Sequence, residues 1–125
     1  MSAKEIGEKL VAYCKQGKNA DAINELYADN VVSVEAAQSP AAEMPRELNG
    51  KEAILGKNKW WSENHEVHSA EVNGPFPHGD NKFAVQFNYD VTFKPASQRM
   101  QMNEIAVYEV QDGKVAREEF FYAMG

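Results

Sequence analysis

The chain has 125 residues, 43% hydrophobic and 26% charged, proportions that suit one globular domain with a real core and argue against wholesale disorder. A formal charge of −6 with no lysine–arginine cluster argues against a nucleic-acid partner, whose affinity rests on neutralising phosphates. No apolar run approaches the roughly 18–20 residues that span a bilayer, the start MSAKEIGEKL is too charged for a signal peptide, and the single cysteine cannot form an internal disulfide, so no membrane partner and a cytoplasmic setting are expected.

Residues 3–16 read as an amphipathic helix. Ile6, Leu10, Tyr13 and Cys14 recur at helical spacing, Lys4, Glu8, Lys9 and Lys15 take the wet side, and Gly17 stops it. Cys14 falls on the apolar stripe and reads as a small buried hydrophobe, with no basic neighbour to make it reactive. Asn19 or Asp21 caps a second short helix whose buried edge is Ala20, Ile23, Leu26 and Tyr27. Val31–Glu35 reads as a strand by β-branched content. Residues 36–49, with Pro40 and Pro45, form a loop long enough to be a rim or lid.

A third helix runs from Gly50 to about Asn64. Ile54, Asn58, Trp61 and His65 share one face at offsets of four, seven and eleven, while Lys51, Lys57 and Lys59 keep the remainder wet. Trp60 points about 100° away from Trp61. The rest is β. A strand over 66–73 is followed by a Gly74–Pro75 turn. Residues 82–93 alternate, with Phe83, Val85, Phe87, Tyr89, Val91 and Phe93 on one face and Ala84, Gln86, Asn88, Asp90 and Thr92 on the other. Residues 100–110 and 114–122 make a hairpin around Gln111–Asp112–Gly113. Arg117, Glu118 and Glu119 read as charges that protect a strand edge. Neither repeat nor linker interrupts the chain, so residues 1–125 are expected to form a single domain.

The stretches Leu26–Val31, Asn49–Ile54 and Val107–Val115, in this order and spacing, resemble the SnoaL-like, ketosteroid-isomerase-like branch of the nuclear transport factor 2-like superfamily. The resemblance covers nearly the whole chain. It implies an α+β cone in which three helices and a strongly curved antiparallel sheet enclose a pocket, and it is fairly specific for the fold, which hosts enzymes and adaptors alike. A carboxylate in such a pocket gains basicity because desolvation disfavours its charged form. In ketosteroid isomerases an acid on the first strand moves a proton beside a carbonyl while hydrogen-bond donors hold the enolate; the aligned position here is Glu35. The positions of the isomerase's two donors fall on Val11 and Ala106, so that half of its site does not carry over.

Glu104 and Tyr108 share a strand face with Ala106, so if Ala106 lines the pocket, Glu104 does too, and it could act as acid to the Glu35 base. His65 could carry the proton instead. Ile54, Asn58, Trp61, Tyr108 and Tyr27 are the expected substrate-binding residues, with aromatic walls that suit a flat or apolar ligand. His65, His68, His78 and Cys14 make no convincing metal set, and no cofactor is called for. Asn88, Gln86 and Asp90 are expected on the outer face, where members of this family often dimerise. The expected activity is acid–base catalysis of isomerase, cyclase or dehydratase type on a small apolar carbonyl compound. The alternatives are a ligand-binding module without turnover and a dimeric adaptor of the same fold.

Overall fold

A computed structural model describes residues 2–36 and 45–122. The elements are helices α1 (Ala3–Lys15) and α2 (Asn19–Leu26), strands β1 (Tyr27–Val34) and β2 (Glu47–Asn49), helix α3 (Lys51–Asn64), and strands β3 (His65–His78), β4 (Lys82–Phe93), β5 (Gln98–Gln111) and β6 (Lys114–Phe121). Helix α1 begins on a capping box. The Ser2 hydroxyl accepts from the Glu5 N–H and the Glu5 carboxylate accepts from the Ser2 N–H, which satisfies two free donors of the first turn. It ends before Gly17, whose φ of +71° is the left-handed exit that glycine adopts freely.

The strands form one curved, unclosed sheet in the order β2-β1-β6-β5-β4-β3. Four of the five pairings are antiparallel, but β1 and β6 run parallel, so the sheet is mixed rather than wholly antiparallel as expected. Placing β6 between β1 and β5 also overturns the reading of Arg117–Glu119 as an edge guard. The sheet edges are β2 and β3. The Gly74–Pro75 turn is not found either. Strand β3 runs on to His78, with its register shifting between Asn73 and Phe76, and the chain reverses at 79–81. An edge strand can hold Pro75 and Pro77 because one side of it needs no N–H donors. The Asp112–Gly113 turn is as expected, with positive φ at both residues (51° and 74°).

The inner face carries Phe83, Val85 and Phe87 of β4 and Ala106 and Tyr108 of β5. They pack against Ile6, Leu10, Val11 and Cys14 of α1, Ala22, Ile23 and Leu26 of α2, and Ile54 of α3. Cys14 is buried, as its stripe position implied, and burial pushes its thiol up to about 12. No described helix is long and apolar enough to cross a membrane.

Candidate functional site

Strand register builds the site. Phe83 pairs with Tyr108, Tyr108 with Glu118, and Glu118 with Ser33, one row across β4, β5, β6 and β1. The next row holds Val85, Ala106 and Phe120, and beyond it Phe87 pairs with Glu104. Two-residue periodicity therefore puts Glu104, Ala106 and Tyr108 on the inner face of β5, Glu118, Phe120 and Tyr122 on that of β6 and its continuation, and Ser33 and Glu35 on that of β1 and its continuation.

A chain of polar contacts crosses the β1–β6 side. Glu118 is only 3% exposed, and its carboxylate accepts from the hydroxyls of Tyr27 and Ser33, the latter at 2.8 Å. The Lys57 ammonium of α3 donates to Ser33 Oγ at 2.7 Å and to Glu35 Oε1 at 2.7 Å, and it lies 5.0 Å from the centre of the Phe120 ring. Tyr122 donates to the other Glu35 oxygen at 3.0 Å. The Glu35 main chain is fixed as well, its N–H donating to the Arg46 carbonyl at 2.8 Å. Burial holds the Glu118 carboxyl above its ordinary value, against the opposing pull of Lys57 and the two hydroxyls, and burial and the Glu118 charge together raise the Tyr27 phenol.

Two other polar heads on the inner face have no hydrogen-bonding side chain or main-chain group beside them among the described residues. Glu104 makes no hydrogen bond or ion pair with any described residue, and its carboxyl is raised to about 7, first by burial and next by the charge of Glu35, with Lys57 opposing and Glu118 adding to the rise. Tyr108 is 2% exposed, its ring stacked on Phe83 with centres 4.9 Å apart. Its hydroxyl has no partner among the described residues. Since no side-chain polar atom sealed from solvent lacks a bond, the Tyr108 hydroxyl and the Glu104 carboxyl each keep some contact with solvent. Burial and the charge of Glu118 raise the Tyr108 phenol, so it stays a neutral donor.

Aromatic rings gather where α3 meets β3. Trp61 stacks on His65 at 4.4 Å and leans on Tyr89 at 5.6 Å, while Trp60 and Phe93 approach His65 at 6.0 and 5.2 Å. His65 Nδ1 lies 2.8 Å from the Trp61 carbonyl. That oxygen can only accept, which assigns the proton to Nδ1 and leaves Nε2 as the acceptor. Burial lowers the imidazole, so His65 is neutral near pH 7. Tyr89 borders both groups, its phenol raised by burial with a contribution from Glu104.

Of the residues singled out in the sequence, Ile54, Asn58, Trp61 and His65 share the inward side of α3 and its exit, with Ile54 and His65 buried and Asn58 and Trp61 half-buried. Tyr27 opens β1 rather than closing α2, and it is bonded to Glu118 instead of facing a vacant space. Glu35 is ion-paired, not isolated in an apolar hollow. His68 is exposed and bonded to Thr92, apart from His65, and the described residues contain no group of metal-ligating side chains. Pro40 and most of the loop read as a rim or lid lie outside the described residues, though its end at Glu47–Asn49 pairs with β1. Lys57, Ser33, Glu118 and Tyr122 were missed. The Glu118–Phe120–Tyr122 alternation was the available signal, because two aromatic residues at that spacing imply that position 118 faces inward.

Three helices against a curved, unclosed, mixed sheet define the α+β cone of the nuclear transport factor 2-like superfamily. Within it, the chain belongs to the SnoaL-like domain family, whose profile matches residues 1–122. A Mesorhizobium loti protein named as a SnoaL-like polyketide cyclase, and in the same name as a carbohydrate phosphatase, is 40% identical over 98% of this chain and 100% of its own, with a TM-score of 0.89. A Mycobacterium tuberculosis protein in complex with estradiol-17β-hemisuccinate is 16% identical, covers 99% of this chain and 96% of its own, and has a TM-score of 0.75. A Catenulispora acidiphila protein of ketosteroid isomerase-like fold, in complex with trimethylamine, is 18% identical over 96% and 86%, with a TM-score of 0.72. At such identities the last two share the fold alone. No curated protein matches the chain.

Proposed function

We propose that this chain is an acid–base enzyme acting on a small apolar carbonyl compound, with Glu104 as the proton carrier and Tyr108 as the donor to the carbonyl oxygen. The observation that carries the reading is the pair of unpartnered polar heads on one face of β5, separated by the small side chain of Ala106. The Glu104 carboxylate takes a proton from the carbon beside the carbonyl. The C–H electron pair becomes part of a C=C bond, the carbonyl π pair moves to oxygen, and the Tyr108 O–H holds the resulting enolate. Glu104 then returns the proton to the same or a conjugated carbon. A carboxyl titrating near 7 has both forms present at neutral pH, which suits a group that must take and give a proton. Glu35, with both oxygens occupied, serves as a fixed negative charge that tunes Glu104. Trp61, Tyr89 and Phe87 supply the apolar wall, and His65 stands behind it.

The test is exchange of α-protons for deuterium in a panel of small aliphatic and aromatic ketones, followed by NMR. The chain is expected to accelerate exchange of at least one ketone, Glu104→Gln to lower that rate about 100-fold or more, and Tyr108→Phe to lower it about 100-fold. An unchanged rate in Glu104→Gln removes Glu104 from the mechanism. The second reading, a ligand-binding module without turnover, is favoured by the ligands held by the two distant relatives. Under it, a ketone or steroid binds and no exchange is catalysed.

We also propose that the protein works as a homodimer joined through the outer faces of its sheets. Ile105 and Phe121 are cross-strand partners on that face, 38% and 49% exposed. Two such apolar side chains side by side leave water on association, and they adjoin the polar row of Gln86, Asn88 and Asp90 on β4.

A further inference from the structure

The acid–base reading leaves Glu118 without a task, although its placement is costly. A carboxylate and a serine hydroxyl sit in one row with Phe83 and Tyr108, beside Val31, Ala106 and Val115, none of them more than 3% exposed. Well-packed apolar side chains would join β1 to β6 at least as stably, because a buried ionic group gives back in Coulomb energy about what it loses in hydration. Stability at the strand junction therefore does not account for the arrangement.

Its geometry points toward the site. The Ser33 hydroxyl carries one proton, which goes to Glu118 at 2.8 Å, so its oxygen is left to accept from Lys57 at 2.7 Å. Glu118 thus sets the direction in which Ser33 can receive the ammonium, and the same ammonium binds Glu35. We propose that Glu118 is a positioning residue of the site: through Ser33 it fixes the Lys57 ammonium, and through Lys57 it fixes the Glu35 carboxylate. The inference rests on the reading of Glu104 as proton carrier, since it gives the network its target.

The groups whose charge or dipole meets Glu104 are Glu35 just past β1, Lys57 from α3, Glu118 from β6, Tyr89 from β4 and Tyr108 on its own strand. Of the three that act on its carboxyl, Lys57 alone favours the anion. Cutting the Ser33 link frees Lys57, the group that favours the Glu104 anion, and also takes one donor from Glu118.

The experiment follows the carboxyl carbons of Glu35 and Glu104 by 13C NMR through a pH titration of the full chain. Ser33→Ala is expected to raise the Glu104 midpoint by about half a pH unit and to move the Glu35 resonance. Ser33→Thr, which keeps the hydroxyl, restores both. Tyr27→Phe, which removes a donor from Glu118 without touching Lys57, isolates the effect of that lost donor on Glu104 and leaves the Glu35 resonance where it was. If Ser33→Ala does not fold, Ser33→Cys, close in shape and a poor hydrogen-bonding group, takes its place. Glu35 and Glu104 titrating in the folded Ser33 variant as they do in the wild type would overturn the inference and leave the acid–base reading intact. A Glu104 midpoint near the ordinary 4.5 in the wild type would instead sink the acid–base reading, and the Glu35 resonance would still report whether Glu118 acts through Ser33.

Discussion

Glu104 is a carboxyl whose proton is held more tightly in the folded chain than in the unfolded one, and stability must follow that difference. Below the unfolded value of about 4.5 both states are protonated and the group contributes nothing. Between there and about 7 the folded chain binds more protons, so stability falls as pH rises, and above 7 the full cost of a half-buried anion is present. Glu104→Gln, neutral at every pH, is therefore expected to melt progressively above the wild type as pH goes from 5 to 8, as thermal unfolding at a series of pH values would show. A constant difference in Tm across that range would mean that Glu104 titrates normally. Lys57 has the opposite balance. Removing its charge in Lys57→Met leaves Glu35 and Glu118 facing each other with no cation between them. Because Lys57 and Glu35 are each partly open to water (side chains 17% and 25% exposed), the expected loss is about 2 kcal/mol, below the range for a fully sealed pair. Urea denaturation measures it.

At the scale of elements, packing overrides local preference at Gly7. A Cβ there would lie 2.8 Å from Pro75 Cβ and 3.2 Å from the Phe83 ring, so the missing side chain is what lets α1 rest on β3 and β4. Alanine would gain about 1 kcal/mol in helix propensity. Overpacking against a proline ring costs about 1–3 kcal/mol, and the net expected effect of Gly7→Ala is destabilisation. A more stable Gly7→Ala would mean the helix can slide on the sheet.

The elements also differ in how far they could be read from the sequence. The alternation of 82–93, the α1 stripe with Cys14 and the Asp112–Gly113 turn depend on neighbours a few residues apart, and all were legible. So was the inner-face placement of Glu104 and Tyr108, which follows from strand period once Ala106 is inside. Glu118 was not, because its burial comes from β6 lying between β1 and β5, and its partners Tyr27 and Ser33 are 91 and 85 residues away. Within Arg117–Glu118–Glu119 the charges look alike, and only the alternation with Phe120 and Tyr122 marks position 118 as inward. Lys57 was lost for a related reason, since a lysine on the turn beside Asn58 looks solvated until a strand is placed opposite. Gly74–Pro75 misled because the same dipeptide serves a turn or an irregular edge strand, and only the pairing of β3 with β4 decides between them.

For the molecule as a whole, the proposed dimer puts the two inner faces on opposite outer sides, each open to its own ligand. Light scattering at micromolar concentration is expected to give twice the chain mass. Ile105→Lys combined with Phe121→Lys is expected to give the monomer, because like charges replace the apolar pair. A monomeric wild type would remove the dimer and leave each site whole, since every contact described for it lies within one chain.

The proposed chemistry depends most on an unpartnered carboxyl on the inner face of β5. The direct measurement is the 13C titration of the Glu104 carboxyl in the wild-type chain, assigned by its disappearance in Glu104→Gln. A midpoint near 7 is the predicted result. A midpoint near 4.5 would contradict it, because a carboxyl that ionises as it does in water is not the desolvated proton carrier described.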